Sequence, residues 1–181
     1  MRIISGKYRG KNLKTFKGQE IRPTSDRAKE ALFNILSFEV VSSTFLDAFS
    51  GTGAVGIEAI SRGAKEVIFT DVRRESVNIC KSNLESIKED AKVYLQSADS
   101  YLSNTTKKFD IIFLDPPYAY DKIDKLFEII GNRNLLNEGG QVIYEHKSDR
   151  ESQRFYGFNL VDTRRYGIAI FDFYKVDKVW E

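Results

Sequence analysis

The chain has 181 residues, 41% hydrophobic and 30% charged, with 12 Gly and 3 Pro. That is one domain's worth of chain with enough apolar material for a core, which excludes disordered, collagen-like and low-complexity proteins. The net charge of +2 is unevenly placed: residues 1–22 carry seven basic residues against one acid, a net +6, and the rest is −4.

Taken in chain order, Arg2–Ser5 and Asn12–Phe16 flank a Gly6–Gly10 turn and predict a β-hairpin. Lys7, Arg9, Lys11, Lys14 and Arg22 make this arm either a candidate for docking the phosphates of a polyanion, since each cation near a phosphate releases condensed counterions, or a lysine-rich solvated strand pair. Tyr8 and Phe16 interleave with these cations and are read as packing residues.

After Pro23-Thr24, Ala28, Ala31, Leu32, Ile35 and Leu36 fall at helical spacing, with Thr24 or Ser25 as N-cap. Strands and helices then alternate. Strands are predicted at Phe45–Asp47, Glu66–Asp71, Val93–Gln96, Phe109–Asp115 and Gln141–Tyr144. Helices are predicted at Ala54–Ser61, Arg74–Glu89, Ser100–Ser103 and Lys122–Ile130. This alternation implies an α/β, doubly wound, Rossmann-like sheet of seven mostly parallel strands, with ligands at the strands' carboxyl ends. Asn159–Arg165 and Ile168–Val176, separated by Tyr166-Gly167, form its antiparallel C-terminal edge. Residues 1–22 are expected as a basic extension and 23–181 as the catalytic domain.

Apolar runs such as Ile111–Leu114 are far too short to span a bilayer, and no signal segment opens the chain. Cys80, the single cysteine, allows neither an internal disulfide nor a zinc site and reads as core filler. A soluble, cytoplasmic protein without metal or membrane partners is therefore expected.

Asp47-Ala-Phe-Ser-Gly51-Thr-Gly53-Ala-Val-Gly56 joins a strand to a helix and satisfies G-x-G-x-x-G. Asp71 ends the following strand, placed to hold ribose hydroxyls. A dinucleotide would bring its pyrophosphate close to Asp47. A carboxylate there suits a cofactor with cationic groups, such as the ammonium and sulfonium of S-adenosyl-L-methionine.

The segment Asp115-Pro116-Pro117-Tyr118 ends a buried strand in a rigid turn. The Asp115 carboxylate and a proline carbonyl can accept both hydrogens of an exocyclic NH₂, and Tyr118 can stack on a planar base. The chemistry this favours is methylation of a ring amine. His146 is a candidate base, but amine methylation needs no strong base and it is read as a strand-end residue. Arg73 and Arg74 are expected to face water, and Trp180 receives no role.

The chain resembles the bacterial 16S ribosomal RNA (guanine-N2)-methyltransferase family, one of the class I S-adenosylmethionine-dependent enzymes. The resemblance is carried by Met1-Arg-Ile-Ile-Ser-Gly-Lys-Tyr-Arg-Gly10, Ile21-Arg-Pro-Thr-Ser-Asp-Arg27, the glycine loop, Ser61-Arg-Gly-Ala64 and the Asp115–Tyr118 turn. It implies cofactor contacts at Asp47, Phe49, Gly51, Gly53, Asp71, Val72, Ala98 and Asp99, with Asp99 near the adenine amine. It implies catalysis at Asp115, Pro116, Pro117 and Tyr118, on 16S rRNA that is naked or in a partly assembled small subunit. The family often has Glu where Asp71 stands. Two other functions compete: a DNA adenine-N6 methyltransferase, for which the chain lacks a separate target-recognition domain, and a non-catalytic RNA-binding assembly module.

Overall fold

The computed structural model describes residues 1–17, 23–147 and 151–177, the side chains of 23–25 aside. Arg22 and Trp180 lie outside the described residues. Helix α1 (Pro23–Leu36) leads through a short 3-10 turn into β1 (Thr44–Asp47), α2 (Ala54–Ser61) and β2 (Glu66–Asp71). Next come α3 (Arg74–Ser86), β3 (Lys92–Leu95), α4 (Ala98–Asn104), β4 (Phe109–Leu114) and α5 (Ile123–Asn132). β5 (Leu136–Lys147), β6 (Phe158–Tyr166) and β7 (Ala169–Val176) close the chain.

The seven strands form one sheet in the order β3-β2-β1-β4-β5-β7-β6. The first five are parallel, and β7 lies antiparallel to both β5 and β6. The order reverses between β1 and β4, so their carboxyl ends flank the crevice where doubly wound sheets bind ligands. Two apolar layers sandwich the sheet. One contains Leu32, Phe33, Phe45 and Phe113 beneath α1 and α2, and the other contains Leu46, Ile112, Leu126 and Phe127 beneath α4 and α5. Cys80 is buried in the first layer, as core filler should be.

Three expectations change. The arm is not a pair of ladder strands: it closes on itself through one antiparallel bridge, Arg2 with Asn12. Ile3 N to Lys11 O, Gly10 N to Ile3 O and Leu13 N to Met1 O also link its two limbs, and several other backbone groups are taken up by the helices. The Ile4 and Ser5 amides donate to the Glu58 carboxylate at 2.8 and 3.0 Å, Lys7 N donates to Ser61 O at 2.8 Å, and Lys14 N donates to Asn83 Oδ1 at 2.8 Å. With Ile3 and Leu13 buried in the main core, the arm is part of the domain's packing. Second, α1 starts at Pro23, which places Thr24 and Ser25 inside its first turn and not at its cap; a first-turn proline needs no amide. Third, β5 runs well beyond Gln141–Tyr144 in both directions, its C-terminal extension paired to β7 from Glu145 to Lys147. Among the described residues no helix is long and apolar enough to cross a membrane, and no cluster of metal-ligating side chains is present.

Candidate active site

The glycine loop is held open from both sides. Ala48 N donates to Phe113 O and Ser50 N to Thr70 O, which ties the loop to the neighbouring strand ends. Asp71 Oδ2 accepts Gly51 N at 2.9 Å, while its Oδ1 accepts Arg73 N at 2.8 Å. Asp71 therefore shapes the loop and still keeps lone pairs for hydroxyl donors. The later glycines serve packing. Gly53 sits at φ +83°, and a Cβ there would stand 2.6 Å from Cys80 Sγ. A Cβ on Gly56 would meet Phe69 Cε1 at 2.2 Å, so α2 can lie this close to the sheet only with glycine at that position.

Two cavities open at the carboxyl ends of the strands. One, of about 540 Å³, is lined by Phe49, Gly51, Asp71, Val72, Ala98 and Asp99 on one side and by Asp115–Tyr118 and Tyr120 on the other. It gathers six of the eight residues proposed for the cofactor. Asp99, in the first turn of α4, is held below the usual carboxylate range by the Ser97 hydroxyl and by Lys125, 3.6 Å away, so it stays an anionic acceptor. The buried Tyr120 hydroxyl has no partner among the described residues, and its ring meets Phe49 edge-on at 5.2 Å.

The second cavity, of about 370 Å³, lies beneath α1 and the end of the arm. Asp47, Ser50, Asp115, Glu145, His146 and Lys147 line it, with Phe16 and Lys29 on the facing wall. Phe49, Gly51, Asp115 and Tyr118 belong to both cavities, so the Asp115–Tyr118 turn stands where they join. Gly53 lines neither.

The second cavity is acidic. Asp47 pairs with Phe113 in the β1–β4 register, and Phe113 pairs with Ile143 in the β4–β5 register. Asp115 and Glu145 each follow by two residues, so all three acids emerge on one face of the sheet. Asp47 is 1% exposed and accepts Gly56 N at 2.9 Å; burial pushes its pKa up to about 7, the hydrogen bond opposes this, and Asp115 and Asp71 add to it. Asp115 opens into the cleft yet is enclosed by protein, which raises its pKa to about 7. Glu145 is pushed well above the usual range by burial and then by Asp115 and Asp47. Of the described cations that line the cavity, Lys29 is engaged by Glu58 and the Arg2 carbonyl and Lys147 lies over the Tyr118 ring, so the acids are left to favour a positively charged occupant.

His146 does face this cavity, but its ring is fully engaged. Nε2 meets Asp172 Oδ2 at 2.8 Å and Nδ1 meets Lys147 O at 3.0 Å, in keeping with a strand-end residue. Burial pushes Asp172 up, but the bonds from His146, Thr163 and Ser152 outweigh it and leave the carboxyl below its ordinary range. Lys147 Nζ lies 3.5 Å from the Tyr118 ring centroid, at the chamber's mouth. Arg73 and Arg74 are exposed, as expected, and the Arg73 guanidinium also stacks at 4.7 Å on Phe16, a residue of this cavity's wall.

The basic arm runs elsewhere. Lys7 pairs with Glu89 at 3.2 Å, Lys11 Nζ reaches Ser86 O at 3.5 Å, and Lys14 Nζ meets Ser82 Oγ at 2.7 Å, along the C-terminal half of α3 and the turn that follows it. Sequence reasoning missed Glu145, Ser50 and Tyr120. Glu145 carried one signal, its place just after a predicted parallel strand, but the adjacent histidine drew the attention.

A family model described as Conserved hypothetical protein 95 matches residues 1–175. The YlbH protein of Bacillus subtilis, provisionally named an rRNA methyltransferase, is 37% identical over 97% of this chain and 98% of its own. Ribosomal RNA small subunit methyltransferase D of Haemophilus influenzae is 33% identical over 97% of this chain and 93% of its own. A solved Escherichia coli structure, provisionally named methyltransferase yhhF, superposes with a TM-score of 0.86 at 25% identity, over 98% of both chains. This chain belongs to the Conserved hypothetical protein 95 family, in which the small-subunit ribosomal RNA methyltransferases D are found.

Proposed function

We propose that the protein transfers a methyl group from S-adenosyl-L-methionine to the exocyclic N2 amine of a guanine in 16S ribosomal RNA, in the cytoplasm. The observation that carries this reading is the position of the Asp115–Tyr118 turn at the junction of two cavities, one lined by Asp71, Val72 and Asp99 and the other by Asp47 and Glu145. The donors and acceptors that line these cavities fit such a cofactor. Asp71 would take the ribose hydroxyls, Asp99 the adenine amine and Val72 the face of the adenine. Gly51 leaves room for close approach, and Phe49 lines the passage between the cavities. Asp47 would take the ammonium end, which relieves a carboxyl buried without a cation.

The cofactor supplies an electrophilic methyl on a sulfonium. The chain's own residues position the nucleophile. Asp115 and the Pro116 carbonyl accept both amine hydrogens, which turns the nitrogen lone pair toward the donor; Pro117 fixes the turn and Tyr118 stacks on the base. With a pKa near 7, Asp115 can hold the proton that the methylated amine releases. Removing the target base from its stack lets it reach the recessed turn. The substrate is small-subunit RNA, naked or partly assembled, and Arg9 with the α3-side lysines gives it a basic flank to dock on. We keep residues 1–22 as a basic arm and 23–181 as the methyltransferase domain.

Methyl transfer from labelled S-adenosylmethionine to purified small-subunit RNA, with duplex DNA as control, tests the reading. Label in N2-methylguanine of the RNA, and none in the DNA, is the expected result. Label in DNA adenine, or none in either, overturns it.

A further inference from the structure

We infer that Glu145 reads the Watson–Crick edge of the target base, meeting the N1–H and O6 of guanine while Asp115 meets the neighbouring amine. The inference rests on the guanine reading of the Asp115 turn and names what selects that base. Leu114 and Tyr144 are register partners on adjacent parallel strands, so Asp115 and Glu145 follow side by side at the strand ends. Both line the chamber that Tyr118 borders. Among the described residues no hydrogen-bond donor reaches either carboxyl: the influences on Glu145 are burial and the like charges of Asp115 and Asp47. Asp115 is open to the cleft and Glu145 half-buried beside it, so both carboxyls are accessible and uncommitted, as acceptors for a ligand's donors should be.

An independent feature points the same way. Ser50 is 7% exposed, lines the same chamber, and its buried hydroxyl has no partner among the described residues. The chamber thus offers acids and a hydroxyl that the fold itself leaves unused.

The chemistry of the base completes the match. With Asp47 paired to the cofactor's ammonium, Glu145 still stands half-buried beside the like charge of Asp115, and a carboxyl that keeps its proton there presents an acceptor beside a donor. Guanine presents a complementary pair, N1–H beside O6, next to the amine that Asp115 accepts. Adenine carries its amine in place of O6 and has no N2 group to offer. Glutamine at 145 would reproduce the acceptor and donor of a neutral carboxyl.

The test uses the full-length protein and two synthetic strands spanning the mapped methylated guanine, identical except at that base. One keeps guanine; the other carries 2-aminopurine, which retains the amine but lacks O6 and the N1–H. Methyl transfer is measured as kcat/KM. Wild type should favour guanine by about 10²-fold or more, since a site built to bond a polar edge rejects the analogue without it. Glu145→Ala should lose about 10²-fold on guanine but less than about fivefold on 2-aminopurine, while Glu145→Gln should stay within a few-fold of wild type on guanine. Equal losses on both bases in Glu145→Ala, or a Glu145→Gln variant as poor as Ala on guanine, would overturn the inference and leave the guanine reading standing. No transfer by wild type to the guanine strand would overturn both.

Discussion

Glu58 and Asp47 are both sealed from solvent, at 0% and 1% exposure, yet the protein surrounds them in opposite ways. Glu58 receives the Ile4 and Ser5 amides, Arg62 Nε at 2.8 Å and the buried Lys29 ammonium at 3.5 Å. Asp47 receives one backbone amide and shares its cavity with Asp115 and Glu145. The first is a buried charge satisfied by its own chain. The second is a buried charge waiting for something else. Where a fold compensates a carboxylate, the group is structural; where it assembles acids and commits the neighbouring Lys29 to Glu58 instead, the acids are left for a ligand.

The largest effect should come from breaking the satisfied group. Glu58→Gln leaves the buried Lys29 ammonium with the Arg2 carbonyl and a neutral amide oxygen in place of a carboxylate, and weakens the anchor of the arm. Removing one partner of a buried pair costs roughly 3–5 kcal/mol. Urea unfolding should show this loss with an unchanged slope. A variant as stable as wild type would mean that Glu58 holds nothing together.

Next is Asp115→Ala, where the comparison predicts the reverse. Methyl transfer should fall by about 10²-fold or more because positioning is lost. Cofactor affinity should stay within a few-fold, and unfolding stability should not fall, because the change removes one of three like-charged neighbours. Near-normal turnover would refute the catalytic assignment of this turn. A marked loss of stability would refute the contrast itself.

The third prediction is a pH dependence. Asp47 titrates near 7 in the fold against 3.8 for an ordinary aspartate. A raised carboxyl pKa means that the folded state retains a proton which the unfolded state releases, so this group costs stability as pH rises from about 4 to about 7 and costs no more beyond. Asp172, held below its ordinary value, has the opposite sign: its contribution is present above pH 3.8 and is lost as pH falls through its folded pKa. A cationic cofactor binds the ionised form of Asp47, so its affinity should tighten roughly five- to tenfold from pH 6 to pH 7.5. Calorimetric titration of Asp47→Asn should show weaker binding with most of that slope gone. An equal slope in both proteins would remove Asp47 from the cofactor site.

Much of this was legible in the sequence. Alternating apolar strands and amphipathic helices reveal the doubly wound sheet, because burial of both faces forces that pattern. Asp47, Gly51, Asp71 and Asp115 could be located because each ends a strand or opens a turn, where local chemistry marks position. Glu145 and Glu58 could not. The first matters through the register of β4 with β5, and the second through an arm more than fifty residues away that folds back onto α2. The same limit explains the short hairpin: Ile3, Gly10 and Leu13 pair across it, but the Ile4, Tyr8 and Lys14 amides found acceptors in Glu58, Ser61 and Asn83. Gly53 matches the fingerprint by spacing, yet in the fold it answers to Cys80.

The smallest effect on chemistry should come from the arm's exposed cations, whose contribution the structure scales down. Lys7 is already paired with Glu89, and Tyr8 donates to the same carboxylate, so its charge is largely compensated before any RNA arrives. Lys11 and Lys14 reach only a carbonyl and a hydroxyl, which leave their charges free to act on phosphate, and Arg9 is exposed. Three effective cations at about 0.7 per phosphate contact on a single strand should contribute about two units to the slope of log affinity against log salt. Neutralising Lys7, Arg9, Lys11 and Lys14 together should therefore flatten the slope by about two, not three. The loss should be the same for RNAs of different sequence, because phosphate contacts position a protein and do not read bases. Cofactor affinity should not change, since none of the four lines either cavity. Restoring Lys7 alone should recover almost nothing, while restoring Arg9 should recover about a third of the slope. A slope unmoved by the fourfold change would make the arm purely an anchor on α2 and α3, and phosphate docking would then fall to Lys147 and Arg73 beside the cleft.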